Sequence, residues 1–213
     1  MTVVSRVRYR PFEDDDFDAV ARILRDEWHA RSENGEYNRL EAERDLAYCL
    51  ANSTFSQVSL IDGTPRGIVL ARAGSEPSPD AGRWFDLEAR LLERMRSIDE
   101  AAAEKMRAYA RAELRVNNKL LEQGEIDHGA EITLLAVDRE ARNLGIGSVL
   151  IDAAASHCAD ARAQSLYLYT DTSCTWQFYE KRGLTRVASH RCNREERRVL
   201  PREMYLYRLD LSA

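Results

Sequence analysis

The sequence predicts an α/β fold of the α+β kind: a mixed, mostly antiparallel sheet of six to seven strands, flanked by helices and carrying a helical insertion. Three observations predict it. Apolar or alternating runs of strand length recur between segments of helical period. An Asp-Gly pair at 62–63 sits between two such runs, which is a hairpin signal and so an antiparallel unit. Past the middle of the chain, strand, helix and strand follow one another, which implies a central parallel pair within the sheet. With 213 residues, 44% hydrophobic and 31% charged, the chain reads as a single domain over 1–213 with its own core.

Each element has a local reason. Residues 5–10 (SRVRYR) alternate as a first strand. Asp14 to Asp16 offer capping carboxylates for an amphipathic helix through Phe17, Val20, Ile23, Leu24 and Trp28. Asn34 and Gly35 read as a loop, and Arg39 to Leu50 as a second helix. Strands over Phe55–Ile61 and Arg66–Ala71 flank Asp62-Gly63-Thr64-Pro65. After the breaker-rich GSEPSPDAG, Leu87, Leu91, Met95, Ile98, Ala102, Met106 and Tyr109 form a helical stripe. Ser97 and Glu100 mark a capping box and a break near 97. This block, residues 75–128, reads as an insertion too thin to bury its own core. Ala130–Val137 (AEITLLAV) is the strongest strand. Gly145–Arg162 follows as a helix, Ser165–Thr170 as a strand, and Ser173–Arg182 as a short helix with Gly183 as its left-handed cap. Leu184–Ser189 and Glu203–Leu209 complete the sheet as an antiparallel pair.

Composition narrows the function. The net charge is −5, the pI is about 5.5, and no long basic run is present, which argues against a nucleic-acid partner. No apolar run approaches the ~20 residues of a membrane helix. MTVVSRVRYR lacks the apolar core of a secretory signal, so a cytoplasmic location is expected. Cys49, Cys158, Cys174 and Cys192 form no C-x-x-C pair and read as free thiols. The four histidines show no metal-ligand spacing, so no metal is expected.

The chemistry concentrates after the strongest strand. Arg142-Asn143-Leu144-Gly145-Ile146-Gly147 is R-x-x-G-x-G at a strand-to-helix junction. Glycines allow close backbone approach, and unpaired N–H groups at a helix start face one space with the helix dipole behind them. Such a cradle suits a pyrophosphate, and Arg142 can add a cation at its edge. The P-loop lysine is missing, and the spacing does not fit a dinucleotide fingerprint. Further along stands DTSCTWQFYEKRGLTRV, with a tyrosine in F-Y-E-K-x-G on a short helix after the second strand.

The two motifs together resemble the GCN5-related N-acetyltransferase (GNAT) superfamily, closely over residues 130–187. The resemblance implies the GNAT fold, with the central parallel pair splayed, and acetyl-coenzyme A as co-substrate, with no metal. It implies that Arg142, Asn143, Leu144, Gly145, Ile146, Gly147 and Ser148 form the pyrophosphate loop. Leu135, Ala136 and Val137 would pair with the pantetheine arm, and Asp171, Ser173, Cys174 and Phe178 would lie beside the cofactor. Two departures stand out. Leu184 takes the place of the usual Phe, and Asp171-Thr172-Ser173 replaces a common Asn, which leaves the contacts there open.

The implied reaction moves an acetyl group directly to a primary amine, a small-molecule amine being favoured and a peptide or protein amine the alternative. Tyr179 is the candidate acid near the sulfur, since a phenol (~10) and a thiol (~8.5) are close enough for proton transfer. The other reading makes it a packing residue. Glu131 is either the base that deprotonates the amine through water, as in the histone-acetyltransferase branch, or a structural polar residue. A backbone N–H near Ala136 or Val137 is the expected oxyanion donor. A non-catalytic acyl-CoA sensor and a tRNA-acetylating toxin are the other classes, and the acidic pI argues against the second. Cys174 as a nucleophile with His157 or His190 is set aside. His29 and His128 read as surface or capping residues, with lining of the acceptor site as the alternative. Trp84 and Phe85 read as anchoring the inserted helix to the core rather than closing over the acceptor, and Arg191–Arg202 reads as a solvated loop or a homodimer contact.

Overall fold

A computed structural model describes residues 7–29, 32–126 and 129–211. Strand β1 (Val7–Arg10) pairs antiparallel with β2 (Phe55–Ile61). Residues 5–6 of the expected first strand lie outside the described residues. Asp62 and Gly63 both take positive φ, 50° and 84°, so a two-residue turn brings β3 (Thr64–Arg72) back antiparallel to β2. The ladder therefore already includes Thr64 and Pro65, which the sequence placed in the turn. Strand β4 (Ala130–Val137) pairs antiparallel with β3, and β5 (Ser165–Asp171) lies parallel to β4. β6 (Thr185–Arg191) and β7 (Glu203–Asp210) close a seven-stranded sheet of order β1-β2-β3-β4-β5-β7-β6. Val187 is skipped in the β6–β7 register, a bulge on the outermost strand.

Helices cover both faces. On one face lie α1 (Phe17–Trp28) and α2 (Gly35–Ala51), whose Leu24, Leu46 and Leu50 pack with Leu70, Leu134 and Ala136. α3 (Ala81–Ile98) packs on α2 through Leu91 and Met95 against Tyr37 and Leu40. α4 (Glu100–Gln123) lays Ala112, Val116 and Leu120 against Tyr167, Met204 and Leu206. The other face carries α5 (Ile146–Asp160), packed on Ile132, Leu166 and Tyr207, and the short α6 (Gln177–Lys181). Trp84 anchors the start of α3, stacked on Phe17 with ring centroids 5.6 Å apart, while Phe85 is exposed.

Three expected boundaries are corrected. α2 begins at Gly35 rather than Arg39, because Asn34 accepts hydrogen bonds from the N–H groups of Glu36 and Tyr37 and caps it one turn earlier. The break in the insertion is capped by Asp99, which accepts from Ala102 N–H; the Ser97 hydroxyl instead donates to the Arg94 carbonyl. α6 is shorter than 173–182, because Asp171 captures the Ser173 N–H and Cys174 N–H donates to the Asp171 carbonyl, so those residues form a turn.

β4 is bent where it matters. Leu70 pairs with Leu134 but Ala71 pairs with Ile132, so Thr133 is an extra residue. The bulge inverts the alternation: Ile132 packs toward α5, while Leu134 packs toward α1 and α2. The end of α2 holds this bulge. The Cys49 thiol donates to the Thr133 carbonyl at 3.7 Å, and the hydroxyls of Ser53 and Thr133 bond at 2.6 Å.

Where α1 leaves off, His29 sits between Asp45 (3.1 Å) and Glu41 (3.6 Å) of α2. Burial disfavours the imidazolium, but the hydrogen bond to Asp45, the ion pair with Glu41 and the charges of both carboxylates outweigh it and push His29 up to about 9, from 6.5. A folded-state value above the unfolded one adds stability that is complete below about 6.5 and is lost as pH rises through about 9. Urea unfolding on both sides of this window should show a loss on the order of 3 kcal/mol, and His29→Asn should flatten the dependence.

Candidate active site

At the end of β4 the chain makes the turn that the sequence singles out. Asp138 N–H donates to the Arg66 carbonyl at 2.8 Å, and the Asp138 carboxylate accepts from Glu140 N–H at 2.9 Å. A single 3-10 turn at Arg139–Ala141 follows, then Asn143 (φ 64°) and Gly145 (φ 77°), both left-handed. These two positive φ values aim the backbone into the first turn of α5. Among the described residues, the N–H groups of Asn143, Leu144, Gly145, Ile146 and Gly147 meet no acceptor, whereas Ser148 N–H donates to the Gly145 carbonyl. Ile146 buries its side chain in the core and Leu144 is exposed, so each offers only its backbone to this space.

Two glycines set how closely α5 is approached, Gly147 by α6 and Gly67 by the sheet. A Cβ at Gly147 would stand 3.1 Å from the Phe178 ring. One at Gly67 of β3 would stand 2.9 Å from Ser59 Oγ and 3.1 Å from the Ala136 carbonyl. Gly67 has no visible signal in the sequence, since a glycine within a strand usually marks only a bulge. Arg142 does not reach freely over the loop. Its guanidinium pairs with Glu27 of α1 and donates to the Val137 carbonyl, and Arg139 holds the same carboxylate at 2.9 Å.

β4 and β5 are paired only at Ala130↔Leu166 and Glu131↔Tyr167. Beyond these the strands part, so the β5-facing side of Ile132 to Val137, including the expected Leu135, Ala136 and Val137, has no strand partner among the described residues. Glu131 stands at the apex of the opening. Arg72 of β3 pairs with its carboxylate, and the Tyr167 hydroxyl donates to it at 3.3 Å. Burial raises the Glu131 carboxyl above its ordinary value, with the Arg72 charge opposing. Tyr169 stands edge-on to Tyr167, with ring centroids 5.8 Å apart.

Tyr179 lies on α6, which is fastened beside α5 by the Phe178–Gly147 contact and an Arg182–Asp152 ion pair. Its ring sits 5.5 Å from Phe178 and 5.7 Å from Tyr207. Its hydroxyl makes no hydrogen bond among the described residues, and burial raises its pKa, with Cys174 and Asp171 adding to the effect. Gly183, at φ 81°, ends α6 and lets Leu184 N–H bond back to the Tyr179 carbonyl. Asp171, Ser173 and Cys174 thus cluster at the tip of β5 near Tyr179, and burial pushes the Cys174 thiol up. His157 stacks on Phe55 and His190 pairs with Glu196, so neither serves Cys174. His128 lies outside the described residues.

A cleft of about 330 Å³ opens beside this cluster, lined by Tyr109 of α4, Thr172, Ser173, and residues 199–202 before β7. Tyr109 belongs to the helical stripe of the insertion that the sequence shows, but that residues 199–202 fold against it is not legible there, because α4 and the loop meet only through the fold. Among the described residues, no helix is long and apolar enough to cross a membrane.

Comparison with known proteins agrees with this geometry. The family model described as Acetyltransferase (GNAT) family matches residues 17–184. No curated protein matches the sequence. Among solved structures, a Drosophila melanogaster polyamine N acetyltransferase is similar at 12% identity and TM-score 0.61, covering 97% of this chain and 100% of that one. The ribosomal-protein-S18-alanine N-acetyltransferase of Escherichia coli is 12% identical with TM-score 0.56, covering 98% and 96%. A GNAT family acetyltransferase of Brucella melitensis in complex with acetyl-CoA is 13% identical with TM-score 0.51, covering 98% and 90%. At such identities the likeness is one of fold.

The Gly147–Phe178 contact has a measurable consequence. Gly147→Val should force the Phe178 ring away and cost about 1–3 kcal/mol of stability, read as a lowered thermal midpoint. Phe178→Leu in the same chain should recover part of the loss.

Proposed function

The chain belongs to the acetyltransferase (GNAT) family, and on that premise we propose that it transfers an acetyl group from acetyl-coenzyme A to a primary amine, a small-molecule amine in the first place. One observation carries the reading: the β4–β5 pairing ends after two residues. Main-chain groups along Ile132–Val137 then face a gap that an amide-rich arm can complete as an added strand. The unpartnered N–H groups of Asn143–Gly147 at the rim suit a diphosphate. Ser148 contributes by closing the first turn behind them, and Asp171, Ser173, Cys174 and Phe178 would border the thiol end.

Acetyl-coenzyme A would supply an activated acyl thioester. Glu131, raised by burial, is the group to accept the amine proton through water. Burial makes Tyr179 a weaker acid than a free phenol, so its part beside the position of the sulfur is to steady the departing thiolate by donating a hydrogen bond to it. The main-chain N–H of Ala136 or Val137 is the donor for the carbonyl oxygen. A carboxylate among Tyr167, Tyr169 and Arg72 favours an amine over an anionic acceptor. Polyamine and peptide-alanine acceptors named for proteins of similar fold mark the two acceptor classes. A peptide amine is the second reading, favoured by the surface cleft at Thr172–Ser173.

Thiol release from acetyl-coenzyme A should occur with members of an amine panel, and coenzyme A should raise the thermal midpoint. Absence of any shift at millimolar coenzyme A overturns the assignment, and binding without turnover on any amine or peptide makes the chain a non-catalytic binder. Glu131→Gln should lower kcat by roughly 10²–10⁴ and abolish an acid limb lying above the ordinary 4.5 of a glutamate. Tyr179→Phe should lower kcat while leaving the coenzyme A affinity within a factor of about two. Wild-type kcat in either variant removes that residue from the mechanism.

A further inference from the structure

Between β6 and β7, three potential metal ligands meet. His190 lies in β6 and Cys192 is the first residue past its end, where its N–H donates to the Arg202 carbonyl and extends the ladder, so strand alternation points both side chains to one side. A 3-10 turn at Glu196–Arg198 then folds back and brings Glu196 to them. One donor atom from each of the three side chains lies within 4.8 Å of the others. His190 Nε2 is 3.0 Å from Glu196 Oε2, Cys192 is 4% exposed, and the other two are half-buried. We propose that these three residues form a binding site for a divalent transition metal of the zinc class.

The His190–Glu196 distance suits that ion, and the Cys192 sulfur, within 4.8 Å of both, closes the set by a side-chain movement of up to about 1 Å. Ligand bonds of ~2.0–2.1 Å to nitrogen and oxygen and ~2.3 Å to sulfur place tetrahedral donors roughly 3.3–3.6 Å apart. The His190–Glu196 pair therefore opens by only a few tenths of an ångström. The donor set is also chemically apt, since imidazole and thiolate select zinc-like ions over magnesium or calcium. Binding displaces the Cys192 thiol proton to solvent, and His190 uses the Nε2 lone pair with its proton on Nδ1. Thiolate and carboxylate together balance the two positive charges. Glu196 is already oriented, because it accepts the Asn193 N–H at 2.8 Å, and its other oxygen lies 4.0 Å from the exposed Lys119, too far for a hydrogen bond. A fourth position is left for water.

The site would act on the cleft wall. Cys192 N–H donates to the Arg202 carbonyl at 3.0 Å, closing the base of the loop that carries Leu200, Pro201 and Arg202. A metal here staples β6 to the turn and fixes that wall. This stands apart from the acetyl-transfer assignment and can be tested without turnover.

Reduced, untagged protein is freed of metal by a chelator and titrated with Co²⁺ and then Zn²⁺. One Co²⁺ per chain should give a sulfur-to-cobalt charge-transfer band and the intense visible bands of a tetrahedral site, with Zn²⁺ displacing both. Cys192→Ser should abolish the charge-transfer band. Glu196→Gln keeps an acceptor for Asn193 N–H and should weaken Zn²⁺ binding by at least about tenfold. Zn²⁺ should raise the thermal midpoint of the wild type more than that of either variant. No charge-transfer band in the wild type overturns the proposal, and so does undiminished Zn²⁺ affinity in Glu196→Gln, which decides the matter if Cys192→Ser fails to fold.

Discussion

An interrupted hydrogen-bond ladder governs this molecule. Two neighbouring parallel strands share only two residue pairs, and the sheet then continues on either side as though a strand were missing. Unpaired main-chain groups inside a protein are costly unless they find partners. The parting must therefore be held open by the surroundings. The Thr133 bulge bends β4 and is fastened from α2 by Cys49 and Ser53. On the other side β5 is paired along its whole length with β7. Gly67 lets the start of α5 settle against the parted strand.

The same economy explains how charged groups are arranged around the opening. Glu131 stands at the apex with Arg72 as its counter-charge, and Tyr167 adds a hydrogen bond. Glu27 gathers both Arg139 and Arg142 at the rim, tying the loop after β4 to the end of α1. An arginine counted from the sequence as available to an anion is thus already engaged. For a ligand anion, the gain from Arg142 is a difference between two partners rather than a full attraction.

The fold was legible because local signals and packing agree. Asp62-Gly63 sets a hairpin whatever surrounds it, and the apolar run of AEITLLAV needs burial on both faces, which the centre of a sheet provides. Errors fell at helix ends, where one side chain decides. Asn34 and Asp99 win their caps over neighbours of equal propensity, and Asp171 spends on a turn the residues expected to start α6. For the candidate site, motif residues lying in one stretch could be read directly, from Arg142 to Ser148 and around Tyr179. Positions that converge only in three dimensions could not, among them Gly67, Arg72, Tyr109 and Glu27. A β-bulge is also silent in sequence, and it alone puts Glu131 and Leu134 on a common side of β4.

The outermost strand carries a consequence for solution behaviour. Among the described residues, β6 has a strand neighbour, β7, on one side alone, which leaves the other side as a template on which a foreign strand could add. The Val187 bulge breaks the regular spacing of that backbone. Arg186 lies stacked over Trp176 and Tyr205, and an exposed Arg191 ends the strand. Uneven spacing and fixed positive charge oppose edge-to-edge growth, so this border of the sheet is built to resist aggregation.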